Sequence, residues 1–154
     1  MHIEKVTRFT EEIFEAVQRL VPLLGAHKPK PSWDDLTLLI DSGTSTLLVA
    51  RFPAADSPIA GMLTLALYRV PTGVRSIVED VVVDDRYRNR GIAKALMQTA
   101  IEIAREAGAN GISLTSNPQR TAANQLYLSL GFQKRETNAY FLPLKSMGNV
   151  PKAG

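Results

Sequence analysis

The chain has 154 residues, 45% hydrophobic and 21% charged, enough for one domain with a sizeable core and too short for two. With no cysteine and only two histidines, it has no disulfide, no thiolate nucleophile and no zinc site, so no metal is expected and a cytoplasmic setting fits. A formal net charge of +3 without any long Lys/Arg block argues against nucleic acid, and no apolar run reaches membrane-spanning length, so no membrane partner is expected either.

Residues 3–9 alternate weakly through Ile3 and Val6 and read as an edge strand. Thr10 is placed to cap a helix whose first turn carries Glu11 and Glu12, where the helix dipole favours anions. Ile13, Val17, Leu20, Val21 and Leu24 give that helix one apolar stripe, and Gly25 ends it. A proline-stiffened loop carrying His27 follows. Ser32 then caps a second helix beside Trp33, with Asp34 and Asp35 in its first turn and Leu36, Leu39 and Ile40 facing inward. Residues 46–52 and 59–70 read as an antiparallel pair of strands, and a turn at 71–73 leads into a third strand over 74–83.

The third strand opens the stretch that organises the chain, residues 77–104. Ile77, Val78, Val81, Val82 and Val83 form a buried-strand pattern, and a charged turn then runs to Gly91. Beyond it Ala93, Leu96, Met97, Ala100, Ile101 and Ala104 share one helical face. Strand, glycine turn and helix in that order aim backbone N–H groups and a positive dipole end at one spot, and Arg86, Arg88, Arg90 and Lys94 surround it. An anion belongs there. The turn is neither GxxxxGK[ST] nor GxGxxG, which argues against a nucleotide-hydrolysing loop and a dinucleotide fold. Gly108 ends the helix, residues 111–115 read as a strand parallel to the previous one, and residues 120–130 as a last helix stopped by Gly131. Residues 132–135 and 139–142 read as two closing strands, and 145–154 as a frayed tail.

The turn fits the pattern Arg/Gln-x-x-Gly-x-Gly/Ala through Arg88, Gly91 and Ala93, and AANQLYLSLGF at residues 122–132 is a short helix carrying Tyr127 and ending in Leu-Gly-Phe. In this order and separation the two motifs resemble the GNAT superfamily, the Gcn5-related N-acetyltransferases. The resemblance implies a single α/β domain over 1–144: a mixed, mostly antiparallel sheet of about seven strands, about four helices on both faces, and two parallel central strands splayed apart. It implies acetyl-CoA as cosubstrate and no metal. Its diphosphate would be held by residues 88–94, that is Arg88, Asn89, Arg90, Gly91, Ile92, Ala93 and Lys94, and its pantetheine by the backbone of Val81, Val82 and Val83 at a bulge. Asn124 is one turn before Tyr127, and Arg120 stands where many relatives carry a cofactor-binding Asn, so both are candidates for the same ligand.

For the chemistry, the resemblance makes Tyr127 the acid that protonates the departing thiolate; a phenol with a reference pKa of about 10 is protonated at neutral pH. Ala123, Leu126, Tyr127 and Leu130 also sit at helical spacing, so the same residue has a packing role open to it. Glu79 and Asp80 interrupt an otherwise apolar strand, and side-chain alternation sends them to opposite faces. The resemblance makes Glu79 the candidate base, acting through water, because many relatives carry an acidic residue there near the acceptor amine; Asp80 is second, and a structural carboxylate is the alternative. His27 and Trp33 belong to the pocket-forming region. The implied activity is acetyl transfer to a primary amine by direct attack in a ternary complex. The acceptor is expected to be a small molecule; a peptide N-terminus or lysine, or a non-catalytic acyl-CoA sensor, is the alternative. A homodimer is compatible with the resemblance, although no segment announces an interface.

Overall fold

The computed structural model describes residues 1–145, so the tail expected at 145–154 lies outside the described residues except for Lys145. The chain groups into two compact units, Met1–Asn117 and Pro118–Gly154.

The first unit holds a five-stranded sheet in the order β1 (His2–Lys5), β2 (Ser45–Arg51), β3 (Ile59–Val70), β4 (Gly73–Val83), β5 (Ala109–Ser113). The first three pairings are antiparallel and β4–β5 is parallel, so the sheet is mixed and mostly antiparallel. Helices α1 (Glu11–Leu24) and α2 (Trp33–Asp41) pack on one face, where Ile13, Val17, Leu20 and Leu36 join Leu47, Val49 and Met62 in one cluster. Helix α3 (Ile92–Glu106) covers the other face. A Cβ on Gly61 would stand 3.2 Å from Ile92 and 2.9 Å from the Val82 carbonyl, so only glycine lets β3, β4 and α3 approach this closely. Leu20, Leu48, Leu63, Leu65 and Leu96 are wholly buried, each worth about 1.5–3 kcal/mol on transfer from water.

The caps are those the side chains specify. Thr10 Oγ1 accepts from the Ile13 N–H, and Ser32 with Asp35 forms a reciprocal capping box. Arg51 ties β2 to its neighbours through Glu4 at 3.0 Å and a two-pronged pair with Glu12 at 2.7 and 2.8 Å. That guanidinium holds the Glu12 carboxyl below its ordinary pKa.

In the second unit α4 (Thr121–Ser129) carries Tyr127. Five strands are present among the described residues, against the seven expected. The strands expected at 132–135 and 139–142 do not form. Gln133, Lys134 and Arg135 give the first no apolar alternation, and Pro143 denies the second a donor at its end. Phe141 and Leu144 remain 90% exposed. The edge strand expected at 3–9 shortens to β1, and Phe9 leaves the ladder to meet Trp33 edge-to-face with ring centres 4.3 Å apart.

Candidate active site

Two departures from regular pairing shape the C-terminal half of β4. On one side, the ladder with β5 runs only from Val74–Ala109 to Ile77–Ser113. Beyond Ile77 that edge of β4 meets no strand among the described residues, and the two parallel strands part. The Asp84 N–H bonds the Ala60 carbonyl on β3 at 2.8 Å. Amides alternate in direction along a strand, so the N–H of Val83 faces the opening and that of Val82 faces β3. Ser116, just past β5, has a buried hydroxyl oxygen with no hydrogen-bond partner among the described residues.

On the other side, β4 bulges. Met62 pairs with Val82 and Thr64 with Glu79, so three steps on β4 face two on β3. Asp80 sits in the bulge with φ of 52°, a left-handed backbone that Asp adopts more readily than most residues. The bulge interrupts the regular pleat between Glu79 and Val82. Asp80 lines a cavity of about 350 Å³ walled by Val17, Leu36, Leu39 and Met62, and Glu79 does not. Neither carboxylate has an ion pair among the described residues. His27 and Trp33 are not part of the cavity wall; Trp33 packs on Phe9 and Phe14 instead.

After β4 the chain makes a short 3-10 turn, Asp85–Tyr87, and reaches α3 through Asn89 (φ 60°) and Gly91 (φ 75°). The first helical bond is Ala95 N–H to the Gly91 carbonyl at 3.0 Å, and no side chain caps α3. The N–H groups of Ile92, Ala93 and Lys94 are therefore left pointing out of the helix end, in a backbone concavity suited to an anion. A Cβ on Gly91 would meet nothing within 4 Å, so glycine is there for its dihedral and for the open space before the amides.

The basic residues around this turn divide into two groups. Arg86 is engaged by Asp84, with Nε to Oδ1 at 3.0 Å and Nη2 to Oδ2 at 2.7 Å, and its guanidinium lies over the Tyr87 ring. Arg88 pairs with Asp85. Arg90 and Lys94 are exposed and form no ion pair among the described residues. Asp84 also takes Arg19 from α1 at 3.1 Å, and its carboxyl is held far below its ordinary pKa, chiefly by Arg86. Sequence reasoning missed this clamp. The available signal was an aspartate at the strand end two residues before an arginine, the spacing at which its side chain caps the Arg86 N–H.

In α4, Tyr127 is buried, its ring centre 6.0 Å from that of Phe132, and its hydroxyl has no hydrogen bond among the described residues. Burial pushes the phenol above its ordinary pKa while the Arg120 cation pulls the other way, so it is protonated at neutral pH. Arg120 precedes the first turn of α4, and Asn124 lies within it.

A family model described as "Acetyltransferase (GNAT) family" matches residues 10–132, a span that crosses both units. Human N-acetyltransferase 8 is 33% identical over 118 residues, which is 71% of this chain and 52% of that protein. Rat N-acetyltransferase 8F1 is 34% identical over 95 residues, 61% of this chain and 38% of its own length. The chain thus spans about half or less of these curated relatives. Among solved structures, an aminoglycoside acetyltransferase from an uncultured soil metagenomic sample superposes with a TM-score of 0.80 at 19% identity, covering 94% of this chain and 96% of that one. The family model covers residues 10–132, most of the sequence, and the chain belongs to the GNAT acetyltransferase family.

Proposed function

We propose that residues 1–144 act as one acetyl-CoA-dependent N-acetyltransferase domain that acylates a small-molecule primary amine by direct attack. The observation that carries this reading is the set of unpaired donors at the start of α3 beside an unpaired edge of β4. Bound acetyl-CoA supplies an activated acyl group as a thioester. The residues present fit it. The amides of Ile92, Ala93 and Lys94, with the side chains of Arg90 and Lys94, suit a diphosphate. The Val83 N–H faces an opening beside the unpaired edge of β4 that suits an amide-bearing chain. Asn89 and Gly91 shape the turn, and Val81 and Val82 keep their side chains with the sheet. Arg88, Arg120 and Asn124 are further candidates for cofactor contact.

Acyl transfer to an amine requires an ammonium to lose a proton, a carbonyl to be polarised and a thiolate to gain a proton. One of the two carboxylates at the bulge, Glu79 or Asp80, supplies the proton acceptor. The Val83 N–H is the proposed carbonyl donor, and Tyr127 the proposed acid, a role that rests on its motif and its protonated state. The small-molecule acceptor is in keeping with the fold's occurrence in aminoglycoside acetyltransferases.

The test is a thiol-release assay with acetyl-CoA over a panel of amines. Transfer to at least one of them is expected. Tyr127→Phe is expected to lower kcat by roughly 100-fold with little change in KM. Acetyl-CoA binding without turnover of any amine, or an unchanged kcat in Tyr127→Phe, would contradict the reading.

A further inference from the structure

We infer that Asp80, rather than Glu79, takes the ammonium of the acceptor, and that the cavity it closes admits a primary amine with one positive charge and an apolar body. The inference rests on the acetyltransferase reading and assigns that site its substrate class. Its geometric basis is the bulge. Asp80 holds a left-handed φ of 52° and so escapes the register that governs the rest of β4, and its side chain reaches the cavity between α1, α2 and the sheet. Strained backbone of this kind persists where the surrounding structure over-determines it, and here it places one carboxylate in the wall of the cavity.

The charges lining the cavity decide what it admits. They are Lys28, Asp35 and Asp80. Asp35 is engaged by α2, its Oδ2 accepting the Ser32 N–H at 2.8 Å. Lys28 is a cation. Asp80 alone of these carboxylates has neither hydrogen bond nor ion pair among the described residues. One uncommitted carboxylate matches one ammonium. A second ammonium on the same ligand would face Lys28 or the side chains of Val17, Leu36, Leu39 and Met62, where an unpaired charge is strongly disfavoured. A volume of about 350 Å³ also lies at the low end of the roughly 300–1,000 Å³ typical of ligand sites. A polycationic aminoglycoside is therefore a poor fit and an apolar monoamine a good one.

In the reaction, an ammonium N–H breaks and its proton passes to an Asp80 oxygen. The freed lone pair forms the C–N bond at the thioester carbonyl carbon. The C–S bond breaks, and the second proton lost by the nitrogen balances the one the thiolate takes up.

The test uses the full chain, with 2-phenylethylamine and sisomicin as acceptors. Asn tolerates left-handed backbone at least as well as Asp, so Asp80→Asn keeps the bulge. The wild type is expected to prefer 2-phenylethylamine by at least about tenfold in kcat/KM. Asp80→Asn is expected to lose roughly 100-fold with that amine, and Glu79→Gln less than about threefold. Acetyl-CoA affinity by calorimetry should be unchanged in both variants. A large loss in Glu79→Gln with Asp80→Asn near wild type overturns the inference, as does a preference for sisomicin. Acetyl-CoA binding with no transfer to the apolar amine overturns it alone. Absence of acetyl-CoA binding by the wild type removes the acetyltransferase reading beneath it.

Discussion

The two halves of the segment that follows β4 carry similar residues and do opposite things. In the first, Asp84 accepts from Arg19, from the Arg86 guanidinium and from the Arg86 backbone, and the charges satisfy one another. In the second, the left-handed Asn89 and Gly91 leave the first amides of α3 open, and Arg90 and Lys94 stand without an ion pair among the described residues. Positive charge near a glycine turn is thus not in itself a ligand signal. What separates Arg86 from Arg90 is the internal carboxylate that one has and the other lacks.

The contrast breaks hardest at Asp84. Asp84→Ala leaves a part-buried N–H and two guanidinium groups without their acceptor, and a loss of about 1–2 kcal/mol in unfolding free energy by denaturant titration is expected. Acetyl-CoA affinity of the folded variant should change by less than about threefold. Proton linkage offers a second reading of the same residue. The Asp84 carboxyl has a folded pKa below its unfolded value of about 3.9, so its contribution is complete above that pH and is lost as pH falls through and below it. Wild-type stability should therefore drop more steeply below about pH 4 than that of Asp84→Ala. Equal slopes would mean the clamp is not formed in solution.

The second half sharpens in the opposite direction. Arg90→Ala with Lys94→Ala is expected to raise the Kd for acetyl-CoA by roughly 10- to 100-fold, through loss of two charge-assisted contacts, with unfolding free energy within about 0.5 kcal/mol of wild type. A double variant that melts early but binds normally would place these side chains with the architecture instead. The smallest effect belongs to Gly91→Ala. Its methyl meets nothing, so only the left-handed φ of 75° is penalised, at about 1 kcal/mol of stability.

Much of this was written in the chain. The 59–70 strand has the ends its apolar run marks, and Thr10 and Ser32 cap the helices they precede. The Arg88, Gly91 and Ala93 spacing marks the open turn, because a left-handed glycine ahead of an amphipathic helix is a local property. The bulge is different. Nothing in Val78-Glu79-Asp80-Val81 specifies which residue leaves the ladder; that depends on how β4 pairs with β3. The Arg19–Asp84 contact joins residues 65 apart in sequence and is equally invisible to local reading. The two closing strands failed for the converse reason. Tyr140 and Phe141 have strand-like propensity, but propensity without a partner edge does not make a ladder.

The central claim is that the open amides around Gly91 hold the diphosphate of acetyl-CoA, and calorimetric titration of acetyl-CoA into wild type and Gly91→Glu tests it most directly. The account predicts saturable binding of one acetyl-CoA per chain by the wild type. It predicts no measurable heat with Gly91→Glu, whose carboxylate would stand in the open space before the amides, while the variant still unfolds cooperatively. Equal titrations of the two proteins would contradict it.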